Sequence, residues 1–345
     1  MKKIITTTGY MVSGSSAVTD LLKEYSKISN KNGSFEYVFL HGPNGVFDLE
    51  DNLLKNNTVV HSDYSIKAFK KEMYDLFNIR FWWCANYKKM LGPQFKKIVD
   101  KYIDNLVDVK YFSHWYYSEK PSKKDEIIIA LKKIINKLTL YKLNIAEMRL
   151  NTELYMSFID DATFYKYTNE FIAEVCDYIN SSDIILLDQL VLPHNLYRIN
   201  NYFDENFRCI IIERDPRDVF LENKYRYVKQ HMDVPFPTDV EKFILYYKKM
   251  RVNEKESNDN RILRIHFEDL ILNYEKMVSK IEFFIGLTPD DHTFPKKYFK
   301  PEKSINNVGL YKRYSDKDDE IKRIEAELTE YCYGLSVKED KDGKF

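Results

Sequence analysis

Neither sign of charge is in surplus: lysine plus arginine number 53, and aspartate plus glutamate number 53 as well. No global field draws the chain to nucleic acid or to an anionic membrane, so any anion site must be local. Cysteine is scarce: Cys84, Cys176, Cys209 and Cys332 stand far apart, without a CxxC pair or a metal-ligand spacing. The histidines are dispersed too, with no HxH or HxxxH pair, and no metal site is expected. No run approaches the ~18 apolar residues that span a bilayer. The apolar stretch after Lys2-Lys3 is broken by three threonines and Gly9, unlike a signal peptide. These absences lead to the expectation of a soluble, cytoplasmic protein. Repeats, low-complexity tracts and heptads are also missing.

What is present is a chain of 345 residues, 44% hydrophobic, ample for a substantial buried core. Short β-branched runs alternate with helical patterns, which predicts a three-layer α/β domain with a mainly parallel sheet. Strands are expected at Ile4–Thr8, Glu36–Leu40, Thr58–His61, Asp183–Asp188, Arg208–Glu213 and Ile262–Phe267. Two of them, Asp183–Asp188 and Arg208–Glu213, are nearly continuous apolar runs, as in strands covered on both faces. Helices are expected at Ala17–Tyr25, Leu196–Phe203, Val219–Gln230, Asp239–Lys255, Tyr274–Ile285 and Lys317–Tyr331. Gly33, Gly42-Pro43 and Gly45 punctuate a loop. Between 65 and 181 the strand rhythm stops and amphipathic stretches such as Asp125–Lys142 and Thr163–Ile179 take over. The reading is one domain over 1–345 with a helical insertion at 65–181 suited to acceptor binding.

The most informative stretch is Lys2–Leu22. A β-branched strand, a tight loop and a helix start aim backbone N–H groups at one anion. Gly9-x-x-x-x-Gly14 has Walker A spacing, but Ser15-Ser16 stands where Lys-Ser or Lys-Thr would follow. Amides and hydroxyls can cradle a phosphate there, yet the cation that spans the β- and γ-phosphates of ATP is missing. This disfavours a generic NTPase. A second anion grip is Arg214, at the end of an apolar strand, followed by Asp215-Pro216-Arg217-Asp218. Ligands in open α/β sheets gather at such carboxyl ends, and a guanidinium grips phosphate bidentately. A third segment, Arg261–Leu287, reads as strand, acidic turn and amphipathic helix. A fourth, Phe299–Arg313, crowds Lys and Asn around Gly309.

In this order the four segments resemble the sulfotransferases that use 3′-phosphoadenylyl sulfate (PAPS), over 1–65 and 182–332. Ser13-Gly14-Ser15-Ser16 is similar to the family's 5′-phosphosulfate loop, and Arg214-Asp215-Pro216-Arg217-Asp218-Val219 to its 3′-phosphate motif. His266-Phe267-Glu268-Asp269-Leu270 resembles the Tyr-Glu-Asp-Leu stretch, and Ser304–Lys312 the C-terminal cofactor loop. The resemblance implies a P-loop fold and sulfuryl transfer from PAPS to a hydroxyl, with no metal. It is closest to bacterial members acting on glycans. It implies cofactor contacts from Ser13, Gly14, Ser15, Ser16, Ala17, Arg214, Arg217, Lys224, Asn306 and Lys312.

Two departures stand out. Val12 occupies the place of the family's catalytic lysine or arginine, and Glu222 the place of a serine on the 3′-phosphate. A carboxylate there repels a dianion unless it points away and Lys224 or Arg217 takes over. Substitutes for the lost cation are sought in Lys67, Lys312 and Arg313. For the catalytic base, Glu36 leads, with His41 and His61 as the other choices. Asp188-Gln189 is expected to line the same crevice. Two other functions fit the residues: a small-metabolite kinase, and an inert nucleotide-binding protein of the same fold.

Overall fold

The computed structural model describes the chain apart from residues 1, 30–34, 114, 116–120, 147–151, 180–181, 233, 253, 255–258 and 336–345. Gly33 and the last residues of the expected helix Asp239–Lys255 lie outside the described residues. Among the described residues seven strands occur: β1 Lys3–Gly9, β2 Ile28–Ser29, β3 Val109–Ser113, β4 Thr152–Met156, β5 Ile184–Leu186, β6 Phe207–Glu213 and β7 Ile262–His266. The chain divides into two compact units, one of Met1–Gly42, Leu76–Phe95 and Ile172–Phe345, the other of Pro43–Asp75 and Lys96–Phe171.

The first unit is built on a parallel sheet in the order β2-β5-β1-β6-β7. Its central strands β1 and β6 bury consecutive residues, as in strands covered on both faces, although β1 does so partly with Thr6, Thr7 and Thr8. Ile5, Ile210 and Ile212 are fully buried, each contributing roughly 1.5–3 kcal/mol of hydrophobic stabilisation. One face packs against helix α1 (Ser15–Leu22) and helix Tyr274–Ile285 through Val18, Leu21, Leu22, Ile281 and Ile285. A second cluster joins Val219, Phe220, Phe243 and Ile324, which draws helices Pro216–Leu221, Val240–Val252 and Asp318–Glu327 together.

The second unit is mainly helical and includes Lys123–Leu138 and most of Asp161–Ile179. Ser122 opens the former with a reciprocal cap to Asp125. The Tyr102 and Phe171 rings stack at 4.6 Å and Phe69 meets Tyr102 edge-on at 5.6 Å. The unit also holds an antiparallel pair, β3 with β4. This corrects the expectation that strands stop between 65 and 181. The pair is anchored by Asp63, whose carboxylate accepts the Tyr155 N–H at 2.9 Å.

Two further strand expectations are corrected. Glu36–Leu40 is only a single bridge, Glu36 to Asp188, before a turn closed by Gly42 N–H on the Val38 carbonyl. Thr58–His61 is a helix start: Thr58 Oγ1 accepts the His61 N–H at 3.1 Å, ahead of helix Val59–Asn78. A threonine in this place caps a helix rather than pairing in a ladder. The expected helix Leu196–Phe203 is a 3₁₀ turn, Pro193–Arg198, followed by Ile199–Tyr202. The expected Val219–Gln230 begins earlier, with Pro216 at its first turn and Asp215 accepting the Arg217 N–H at 2.9 Å. All four cysteines are buried and unbridged. Among the described residues no helix is long and apolar enough to cross a membrane.

Candidate functional site

Strands β1 and β6 lie side by side with Gly9 opposite Ile212. The loop that follows β1 and the arginine that follows β6 therefore emerge at the same sheet edge. The loop is tight: Ser13 N–H closes on the Tyr10 carbonyl at 2.8 Å, Val12 has φ 66° and Gly14 has φ 89°. α1 begins at Ser15, where the first N–H groups of a helix have no intrahelical partner. Gly14 is required twice over. Its φ lies in the left-handed region, and a Cβ there would sit 2.6 Å from Phe267 Cδ2. Gly14→Ala should cost ~2 kcal/mol in strain and overpacking, read as a lowered thermal midpoint.

Arg214, 6% exposed, closes the arrangement. Its Nη1 donates to the Val12 carbonyl at 3.0 Å and its Nη2 to the Asn307 carbonyl at 2.8 Å. Its Nε is buried without a partner among the described residues. The guanidinium lies over the Phe267 ring, 5.1 Å from its centroid. Glu222 does not point away: it pairs with Arg214 at 3.4 Å and with Arg226 at 2.7 Å, and Arg226 also reaches Asn307 Oδ1 at 2.8 Å. The helix widens to π form over Glu222–Tyr227, adding a residue per turn and re-aiming the side chains that follow.

Gly14, Ser15, Ser16 and Ala17 line one cavity of about 640 Å³ together with Glu36, Arg214 and Glu222. Ser13 Oγ is buried without a partner among the described residues. Ser15 Oγ accepts from Gln189 Nε2 at 3.1 Å, and Gln189 Oε1 accepts from Thr8 at 3.0 Å. Glu36 is pushed up to about 7, first by burial and then by the nearby Asp188 carboxylate. Asp188 is itself raised to about 6 by burial, although Thr7 donates to it at 2.8 Å. A carboxyl group that titrates near neutrality in such a cavity can act as a base.

The histidines are placed elsewhere. His41 Nε2 is 2.7 Å from the Gln189 carbonyl, to which it must donate, and burial lowers its pKa to about 4. It does not line the cavity. His61 is exposed in the second unit, with Nδ1 2.9 Å from the Asn56 carbonyl.

Several of the expected anion contacts are engaged inside the protein instead. Arg217 is buried against Asp215 at 2.6 Å and Glu325 at 2.7 Å, with the Tyr311 ring 3.9 Å away. Lys224 pairs with Glu320. Asn306 and Lys312 are exposed and absent from the cavity lining, whereas Asn307 is part of it. The cause is Asp218, whose carboxylate accepts the N–H groups of Gly309 at 2.7 Å and Tyr311 at 3.1 Å and so fixes that loop's register. Lys67 pairs with Asp63 in the second unit, and Arg313 donates to the Asn306 carbonyl.

Three lysines line the cavity: Lys300 and Lys303, which lie in the Lys- and Asn-rich segment Phe299–Arg313 without being among its expected contacts, and Lys297, which lies just before it. Their three-residue spacing is visible in the sequence, but within the segment the resemblance points to Asn306 and Lys312 instead. Tyr227, Phe267 and Tyr298 add aromatic surface to the same wall. Among the described residues no cluster of His, Cys, Asp or Glu could hold a metal ion.

Solved structures similar to the chain, at low identity, include three sulfotransferases. The sulfotransferase domain of the Synechococcus PCC 7002 olefin synthase is 11% identical, with a TM-score of 0.38 over 94% of this chain and 92% of that one. The sulfotransferase domain from the curacin biosynthetic pathway is 10% identical, with a TM-score of 0.36 over 94% and 96%. Sulfotransferase STF9 from Mycobacterium avium is 10% identical, with a TM-score of 0.33 over 92% and 76%. No curated protein sequence matches the chain. The model of the sulfotransferase family matches residues 130–291, a span that includes β5, β6, Arg214 and β7 but neither the loop after β1 nor Lys297–Lys303. That match, less than half of the chain, supports a sulfotransferase-family fold.

Proposed function

We propose that the chain transfers a sulfuryl group from PAPS to a hydroxyl group, with a glycan as the acceptor. One observation carries the reading: Arg214 reaches from the end of β6 to the Val12 carbonyl of the phosphate loop and keeps a buried Nε without a partner. An anion seated on the Gly14–Ala17 amides would meet both grips in one cavity. The aromatic surfaces of Tyr227, Phe267 and Tyr298 suit stacking against a base or a sugar ring.

In this reading the donor supplies an activated sulfur–oxygen bond, and the protein supplies position and charge. The acceptor oxygen forms a bond to sulfur while the bond from sulfur to the 5′-phosphate oxygen breaks. The acceptor proton passes to the Glu36 carboxylate. The loop amides and the Ser15 and Ser16 hydroxyls stabilise charge on the departing phosphate.

Calorimetric titration with adenosine 3′,5′-bisphosphate tests the donor pocket, and incubation with PAPS and glycan acceptors tests the transfer. The expected result is saturable one-to-one binding and release of one bisphosphate per hydroxyl sulfated. Absence of both overturns the reading. Binding without turnover on any acceptor would favour the inert nucleotide-binding protein, a reading to which Val12 lends specific weight.

A further inference from the structure

Val12 leaves the phosphate loop without a cation of its own, yet a developing negative charge on a leaving phosphate needs one. Positive charge enters the cavity from a different segment. Lys297, Lys300 and Lys303 line it together with Gly14, Ser15, Ser16 and Ala17. Among the described residues none of the three ammonium groups has a carboxylate partner. Many other lysines of the chain do, including Lys23, Lys67, Lys71 and Lys224. The Lys297 ammonium lies over the Phe294 ring at 4.5 Å, and the same lining includes Asp20, Glu36 and Glu222, so the lysines are the part of the lining that an anion complements.

The segment is also held in a specific way. Glu24 is fully buried just beyond the last turn of α1. Its Oε1 accepts the N–H groups of Tyr298 at 2.8 Å and Phe299 at 2.9 Å. Its Oε2 accepts the Lys296 N–H at 2.9 Å and His292 Nε2 at 2.7 Å. The Glu24 carbonyl takes the Phe294 N–H at 3.0 Å, and His292 stacks on Tyr25 at 4.4 Å. A buried carboxylate holding four donors is a costly feature unless its satisfaction is complete, as it is here. The same eight-residue helix starts at the phosphate loop and ends at this clamp. One rigid element therefore sets the lysine segment against the loop.

We propose that Lys297, Lys300 and Lys303 supply the cation that Val12 removes from the phosphate loop, and that Glu24 is the positioning residue that holds them in place. The proposal rests on the sulfuryl-transfer reading and names the charges that make it work.

The test compares the wild-type chain, Arg214→Ala, and a triple variant of Lys297→Ala, Lys300→Ala and Lys303→Ala. Each is titrated with adenosine 3′,5′-bisphosphate across a salt series and assayed for PAPS turnover. The triple variant should keep its thermal midpoint, lose kcat by about 10²-fold, and show a flattened salt dependence of binding. Adding Val12→Lys to it should recover part of the lost kcat. Glu24→Gln should lower kcat in the wild-type background and add no further loss in the triple variant, since both changes remove the same contribution. A merely structural Glu24 would give additive losses. Wild-type kcat and salt dependence in the triple variant, alongside lost binding in Arg214→Ala, would overturn the proposal and leave the transfer reading standing. A wild-type chain that neither binds nor turns over removes both.

Discussion

Arg214→Ala should raise the dissociation constant for adenosine 3′,5′-bisphosphate by about 10³-fold. Among the described residues Arg214 is the guanidinium that both lines the cavity and touches the loop after β1, through the Val12 carbonyl. Its unpartnered Nε can give an anion a charge-assisted bond worth roughly 1.5–3 kcal/mol, and with added repulsion from Glu222 the loss reaches ~4 kcal/mol, a factor of about 10³. The variant also removes a partner from Glu222, which keeps Arg226 at 2.7 Å. A carboxylate relieved of one of its two cations adds its repulsion to the loss. Arg214→Lys separates charge from geometry: it keeps the charge but cannot span two oxygens in the fork, so its affinity should fall between wild type and alanine. Isothermal calorimetry with a parallel thermal melt reads both. Unchanged affinity in a folded Arg214→Ala protein would remove the anion site from this end of β6.

The sheet was legible where both faces of a strand are buried. Ile210-Ile211-Ile212 and Ile184-Ile185-Leu186 allow little else, and helix Tyr274–Ile285 matches its expected bounds because Asn273 and Gly286 bracket an unbroken apolar period. The failures share a cause. Thr58-Val59-Val60 is β-branched enough for a strand, but the Thr58 hydroxyl settles the matter by capping a helix. β3 and β4 were missed because their alternation is weak and β3 has no buried residue. At the site, the backbone loop and Arg214 could be read from strand-end position, which depends only on fold. The choice between Asn306 and Asn307, and the pairing of Glu222 with Arg226, depend on loop register and on a π turn. Those are set by Asp218 and by the packing around Glu222, neither of which leaves a local pattern in the sequence. The lysines at 297, 300 and 303 acquire meaning only through Glu24, whose backbone partners are more than 260 positions away.

Glu36→Gln should lower kcat by about 10²–10⁴-fold, the usual worth of a positioned general base, with little change in bisphosphate affinity. The amide has nearly the shape of the carboxyl but cannot take the acceptor proton. The sign of the pH dependence follows from the direction of the shift. Burial and Asp188 raise Glu36 to about 7, so below that pH the folded enzyme holds a protonated, inactive carboxyl. Activity should therefore rise with pH through about 7 and level off above it, and the Gln variant should lose that limb. Asp188→Asn provides the internal control. Removing the neighbouring negative charge lowers Glu36 toward the ordinary carboxylate range, and the rising limb should move to lower pH. His41 would not reproduce this pattern: its Nε2 is committed to the Gln189 carbonyl, and burial keeps it neutral to about pH 4. A limb that stays near 7 in Glu36→Gln would assign the base to another group, and a limb unmoved by Asp188→Asn would deny the Asp188 carboxylate its electrostatic effect on Glu36.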